Sequence, residues 1–236
     1  MIWLTLAFAL PAQDDATRAY EADVAVMDKV LDTIRDCTWT FHKEERVAGV
    51  WLDRQVMAVK HRLPDDFYVK WSGDVNAGRE VLYSPASNNG KLLVNVSAFV
   101  PNISVSTTGS TAMEDNRHSI PDLSAVRVAR RIVSDVARVR AATWAPTVQE
   151  LGPRRVHGEA SRCYHAVSRK DLDPGLYGYE SELCFSTRTK LPVSIRTWDV
   201  EGGTLELVEQ YSWQDLQLNP GLTDADFQPD HEGYGF

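Results

Sequence analysis

The chain has 236 residues, and 25 Lys+Arg against 33 Asp+Glu leave a formal net charge of −8. A field of that sign repels phosphate backbones, so nucleic acid is excluded as a partner and any basic site must be local. With 43% hydrophobic and 25% charged residues, the chain has the apolar surface that disordered segments lack, and its length fits one β-rich domain.

The first segment, residues 2–12 (IWLTLAFALPA), is shorter than the roughly 20 apolar residues that span a bilayer. It has the length of a signal-peptide core and ends at small Ala12 before the polar Gln13-Asp14-Asp15. Residues 1–12 are therefore expected to be removed on export, leaving residues 13–228 as one domain and 229–236 as a C-terminal tail. No Lys or Arg precedes the run, and the alternative is a buried N-terminal strand or helical turn. No later stretch is long and apolar enough for a transmembrane segment.

In residues 15–36, Tyr20, Val24, Met27, Leu31 and Ile34 recur at the spacing of one helix face. Short alternating runs follow at 38–46, 54–62, 67–71, 79–83 and 91–96, separated by Gly, Pro-Asp and Asn-Gly punctuation. A second helix is predicted over 121–142, with Ser119 as N-cap, Pro121 in the first turn and Asp122 three residues after the cap. Strands resume at 147–155, 160–170, 179–187, 193–200 and 204–213, the last pair joined across Glu201-Gly202-Gly203. Helix, meander, helix, meander predicts an α+β fold, a large curved antiparallel sheet with two main helices packed on one face.

Cys163 and Cys184 lie on two β-like runs about a turn centred on residues 171–175. A symmetric hairpin would set them opposite each other, where a disulfide is reachable. Cys37 is left as a small buried hydrophobe. The seven tryptophans are the unusual feature of the composition, because indole wants apolar contact and an acceptor for its N–H. Trp39, Phe41, Trp71, Tyr83, Trp198, Tyr211 and Trp213 all fall on predicted strands, where they line either a solid core or a ligand-holding hollow.

On the first strand, Lys43 and Glu45 share a side with Trp39 and Phe41, while His42, Glu44 and Arg46 point the other way. A carboxylate among aromatics needs a cation; Lys60, Arg62 or Arg79 is the expected partner of Glu45. Asn116-Arg117-His118 sits before a helix N-terminus, where positive charge is unfavourable. Glu80, Glu114 or a bound anion would compensate it. The six histidines form no metal-binding spacing, and no nucleophile elbow, P-loop or dinucleotide fingerprint occurs. No metal, cofactor or catalytic residue is expected.

Several strings together resemble a bacterial family, domain-of-unknown-function family 1571. They are Phe41-His42-Lys43-Glu44-Glu45-Arg46 with Gly49, residues 60–64, Gly78-Arg79-Glu80-Val81-Leu82-Tyr83, Asn116-Arg117-His118 with Ile120, Leu191-Pro192-Val193, and residues 211–227. The resemblance implies the half-barrel of the outer-membrane lipoprotein carriers LolA and LolB, and no activity of its own. By that analogy of fold, the chain is expected to be an exported, periplasmic, non-enzymatic protein. It would hold a lipid, acyl chain or lipidated peptide between sheet and helices, with Arg46, Arg79 or Arg117 at the polar end. The alternative is a cell-envelope structural or protein-interaction module with a filled aromatic core. A third reading, an enzyme using His42, Glu44 and Glu45 as acid/base groups, requires an open cleft that gathers them.

Overall fold

The computed structural model describes residues 14–97 and 99–236; the expected signal peptide, residues 1–12, lies outside them. Strand β1 (Asp36–Val47) is central. From it the chain turns through the two-residue β2 (Val50–Trp51) and meanders outward through β3 (Gln55–Arg62), β4 (Asp66–Trp71), β5 (Glu80–Tyr83), β6 (Leu92–Asn95) and β7 (Ile103–Val105). It then crosses the sheet as a short helix α2 (Ser110–Met113), a 3₁₀ turn (Ile120–Leu123) and α3 (Ala125–Ala141). Strands β8 (Thr147–Val156), β9 (Glu159–Val167), β10 (Glu180–Ser186), β11 (Pro192–Glu201) and β12 (Thr204–Leu218) return inward until β12 pairs with β1. The result is one open antiparallel sheet of 12 strands with β7 and β8 at its edges, the half-barrel that the sequence predicts.

Tight turns fix the register. His157-Gly158 and Gly202-Gly203 both have two positive φ values, at 48° and 83° and at 58° and 86°, the I′ geometry whose twist matches that of the flanking strands. Cys163 and Cys184 are cross-strand partners on β9 and β10 and are bonded, with Cα atoms 4.1 Å apart.

Helix α1 (Asp15–Leu31), capped by the Asp14 carboxylate on the Thr17 N–H, buries Tyr20, Val24, Met27 and Leu31. Helix α3 buries Val126, Val128, Ala129, Ile132 and Val136. Both close over the concave face, and Arg130 on α3 reaches Asp28 and Asp32 of the α1 region at 3.3 and 2.8 Å. The second helix starts later than the sequence predicts. Ser119 caps only the 3₁₀ turn, and the cap of α3 is Ser124, whose Oγ accepts the Val126 and Arg127 N–H groups. Cys37, the second residue of β1, is fully buried, as expected of a small hydrophobe. Residues 229–236 pack on the convex face: Tyr234 stacks on Tyr68 at 3.7 Å, and the Gly235 N–H donates to Glu80 at 2.9 Å.

Candidate functional site

Alternation along β1 and β12 sends one row of large side chains to the concave face. Phe41 stacks on Trp213 at 5.6 Å and meets Tyr211 at 5.5 Å, and Trp39 lies in the same cluster. Trp71 is buried, and Tyr83, half-buried, packs against the same core. Trp198 lies elsewhere. It shares parity with Arg196, whose guanidinium sits 5.1 Å from its ring centre, while Ile195 and Thr197 take the buried side of β11. The centre of the concave face is nearly filled. Trp39, Phe41, Phe67 and Leu123 border a gap of about 20 Å³, and α1, α3 and β8–β11 enclose one of about 80 Å³.

A buried polar network interrupts this aromatic surface. Register sets Glu45 opposite Glu209 and Lys43 opposite Tyr211, so two carboxylates, both 1% exposed, face each other across the β1/β12 ladder. The cation that satisfies Glu45 is Lys43, two residues away at 3.1 Å, and not one of the sequence candidates. Lys60 pairs with Asp226, Arg62 pairs with Asp66 and Asp224, and Arg79 stands apart. Glu45 also accepts the Arg117 backbone N–H at 2.9 Å and the Tyr211 hydroxyl. Tyr211 bonds Glu209 at 3.1 Å, and His118 Nε2 lies 2.9 Å from the same carboxylate.

Burial opposes charge on His118, but the hydrogen bond to Glu209 together with the charges of Glu209 and Glu45 outweighs it and raises the imidazole above its ordinary range. Burial on its own would raise Glu209, yet the hydrogen bond and charge of His118, with the Tyr177 hydroxyl, hold it below the ordinary carboxylate range. Burial, reinforced by the carboxylates, pushes the Tyr211 and Tyr177 hydroxyls well up, so both stay protonated donors. Lys43 is lowered by burial against the pull of Glu45. Asn116, whose Oδ1 accepts from Lys43, and Arg117 and His118 thus tie the crossing segment to the sheet. The partner that compensates Arg117 is Glu201, together with the Arg46 carbonyl at 2.9 Å, and not Glu80 or Glu114. Sequence reasoning missed Glu209 and Tyr177 as members of this network. The available signal was Glu209-x-Tyr211-x-Trp213, a carboxylate in phase with two aromatics.

His42 and Glu44 point away from Glu45. His42 bonds Gln214 at 3.0 Å and stacks on His157, and Glu44 meets Arg54 at 2.8 Å. The three groups lie on opposite faces of the sheet and form no joint acid/base cluster.

Two larger spaces open beside the network. One, of about 430 Å³, is polar and lined by Arg117, His118, Arg127, Arg131, Lys170 and Tyr177, among others. Each of its permanent cations already has a carboxylate: Glu201, Asp65 with Asp122, Asp135 and Asp199 respectively. The other, of about 260 Å³, continues the concave face onto β5–β7 under α2. Val81, Leu92, Val94, Val105 and Ile120 make its apolar wall; Trp71 and Arg79 lie at one part of it, Val96 and Ile103 at another. Ile120 also borders the gap beside Trp39 and Phe41, so this side chain lines both spaces.

A family model described as "Protein of unknown function (DUF1571)" matches residues 34–236. None of the curated proteins matches the sequence. Among solved structures, the chain is similar to lipoprotein LppX of Mycobacterium tuberculosis at 13% identity, with a TM-score of 0.51 and coverage of 89% of this chain and 99% of that one. It is similar at 14% identity to a LolA superfamily protein of Nitrosomonas europaea, with a TM-score of 0.35 and coverage of 87% and 97%. The Pseudomonas aeruginosa MucA/MucB complex is similar at 14% identity and a TM-score of 0.48, over 88% of this chain and 60% of that one. At that identity the likeness to LppX speaks to fold alone.

Proposed function

The chain belongs to the DUF1571 family, and from the groove on its half-barrel we propose an exported, non-enzymatic binding protein that holds the acyl chain of a lipid or lipidated peptide. The observation that carries this reading is the groove of about 260 Å³ on β5–β7, one wall of which is Val81, Leu92, Val94, Val105 and Ile120. Burying about eight methylenes would supply about 6 kcal/mol, a Kd on the order of tens of micromolar before ordering costs. A longer chain would gain more by displacing Ile120 toward the aromatic gap. The Cys163–Cys184 bond supports an oxidising, extracytoplasmic compartment, as in a periplasm. With a net charge of −8, the surface does not favour adhesion to anionic membranes, so lipid contact would be confined to the groove.

A second reading, an envelope module whose partner is a protein, is favoured by a different observation: the gap beneath Trp39 and Phe41 is only about 20 Å³. Native mass spectrometry of mature protein, purified mildly from its own host, separates the two. Bound lipid masses support the first reading. Bare protein, accompanied by one envelope protein released by surface substitutions, supports the second.

A further inference from the structure

The sequence offers three arginines as the polar end of a ligand site, and two of them are committed. Arg46 donates to the Leu207 and Gly49 carbonyls at 3.3 and 3.0 Å and pairs with Glu206 at 3.4 Å. Arg117 is held by Glu201 and the Arg46 carbonyl. Arg79 differs. Its guanidinium sits 5.8 Å from the Trp71 ring centre, its Nε is buried with no hydrogen-bond partner, and among the described residues no carboxylate lies within ion-pair distance.

The backbone holds it there. The Trp71 N–H donates to the Arg79 carbonyl at 2.9 Å, and the Gly78 N–H returns to the Trp71 carbonyl at 3.1 Å. A guanidinium nitrogen left buried without a partner is expensive, more so than a neutral group. Its planar fork matches an oxyanion, and the face of Trp71 supports the cation without neutralising it. Glu114 and Asp115 also border the groove, but both are exposed and neither pairs with Arg79.

From Arg79 the groove runs along uncharged chain. Residues 92–113 contain no Asp, Glu, Lys, Arg or His in a sequence that is 25% charged. Val96 and Ile103, which border the groove, are 38% and 42% exposed. Among the described residues that line the groove Arg79 is the one cation, and it adjoins the wall of Val81, Leu92, Val94, Val105 and Ile120; a cation beside such a wall is complementary to a ligand with one anionic group and a hydrocarbon tail.

We propose that the β5–β7 groove binds an anionic amphiphile, with its carboxylate or phosphate oxygens on Arg79 above Trp71 and its tail along Val81, Val94 and Val105. This rests on the acyl-chain reading above and narrows it to ligands with an acidic head.

The test is calorimetric titration of the mature protein with dodecanoate, with 1-dodecanol and with inorganic phosphate, repeated on Arg79→Gln and Arg79→Lys. Dodecanoate should bind at least tenfold more tightly than dodecanol, and phosphate alone should not bind measurably. Arg79→Gln should bring the two ligands to equal affinity, whereas Arg79→Lys, which keeps the charge and loses the fork, should retain part of the preference. Equal binding of acid and alcohol by the parent protein overturns the inference and leaves the acyl-chain reading standing. So does an unchanged preference in Arg79→Gln. Phosphate binding as tightly as dodecanoate overturns it in favour of a free-anion site. Binding of neither amphiphile overturns the acyl-chain reading itself.

Discussion

His61 gives the fold an acid sensitivity whose size follows from its surroundings. It lies on β3 between Cys37 of β1 and Phe67 of β4, stacks on Phe67 at 4.0 Å and is 1% exposed. Its Nδ1 is 3.0 Å from the Ser124 hydroxyl, which caps α3, and its Nε2 is 3.3 Å from the Pro64 carbonyl. Ser124 accepts two helix N–H groups, so its own proton goes to Nδ1, and Nε2–H donates to Pro64: the neutral imidazole satisfies every partner. Burial pushes its pKa down from 6.5 to about 4. Between those values the unfolded chain binds the proton and the folded one does not, so stability is complete above about pH 6.5 and falls as the pH drops toward about 4. At ~1.4 kcal/mol per pKa unit, the loss amounts to about 3 kcal/mol. Urea denaturation followed by tryptophan fluorescence, for the parent and for His61→Phe, isolates it because the other titrations cancel in the difference. The stability advantage of the parent should shrink by about 3 kcal/mol between about pH 7 and about pH 4. A constant difference, with His61→Phe still folded, would refute the reasoning.

The His118–Glu209 pair works in the opposite direction. With His118 raised by Glu209, its contribution is full below about pH 6.5 and is lost as the pH rises through its folded value. Glu209→Gln should therefore flatten the alkaline decline of the melting temperature, and an unchanged decline contradicts this. Replacing Cys163 and Cys184 together by Ala should destabilise by about 3 kcal/mol, the chain-entropy value for a loop of roughly 20 residues; an unshifted denaturation midpoint contradicts it. Burial pushes the Cys37 thiol up to about 12, so a thiol reagent at about pH 8 should label it only after denaturant is added. Prompt labelling of the native protein argues against its burial.

Elements with a strong period were legible in the sequence. The β1 alternation put Lys43 and Glu45 with Trp39 and Phe41, and the turn between Cys163 and Cys184 located their bond, because a two-residue period and a symmetric hairpin leave little freedom. What failed depended on tertiary distance. The partner of Glu45 was sought on neighbouring strands, while the nearest ammonium is on its own strand, one pleat away. Ser119 looked like the cap of the second helix because Pro121 and Asp122 follow it, but the turn they form ends at Leu123 and a second serine restarts the chain as α3. Trp198 could have been set on the convex face from its parity with Arg196. Strand β7 and helix α2, which complete the groove, span three and four residues, too few for either period to register. The isolation of Arg79 could not be read in advance, since it depends on where every carboxylate ends up.

The most direct test of the acyl-chain account is a crystal structure of the mature protein grown with a long-chain fatty acid. The account predicts continuous density along Val81, Val94 and Val105 with the carboxylate against Arg79 and Trp71. An empty groove, or density seated only in the polar cleft beside His118 and Lys170, would contradict it.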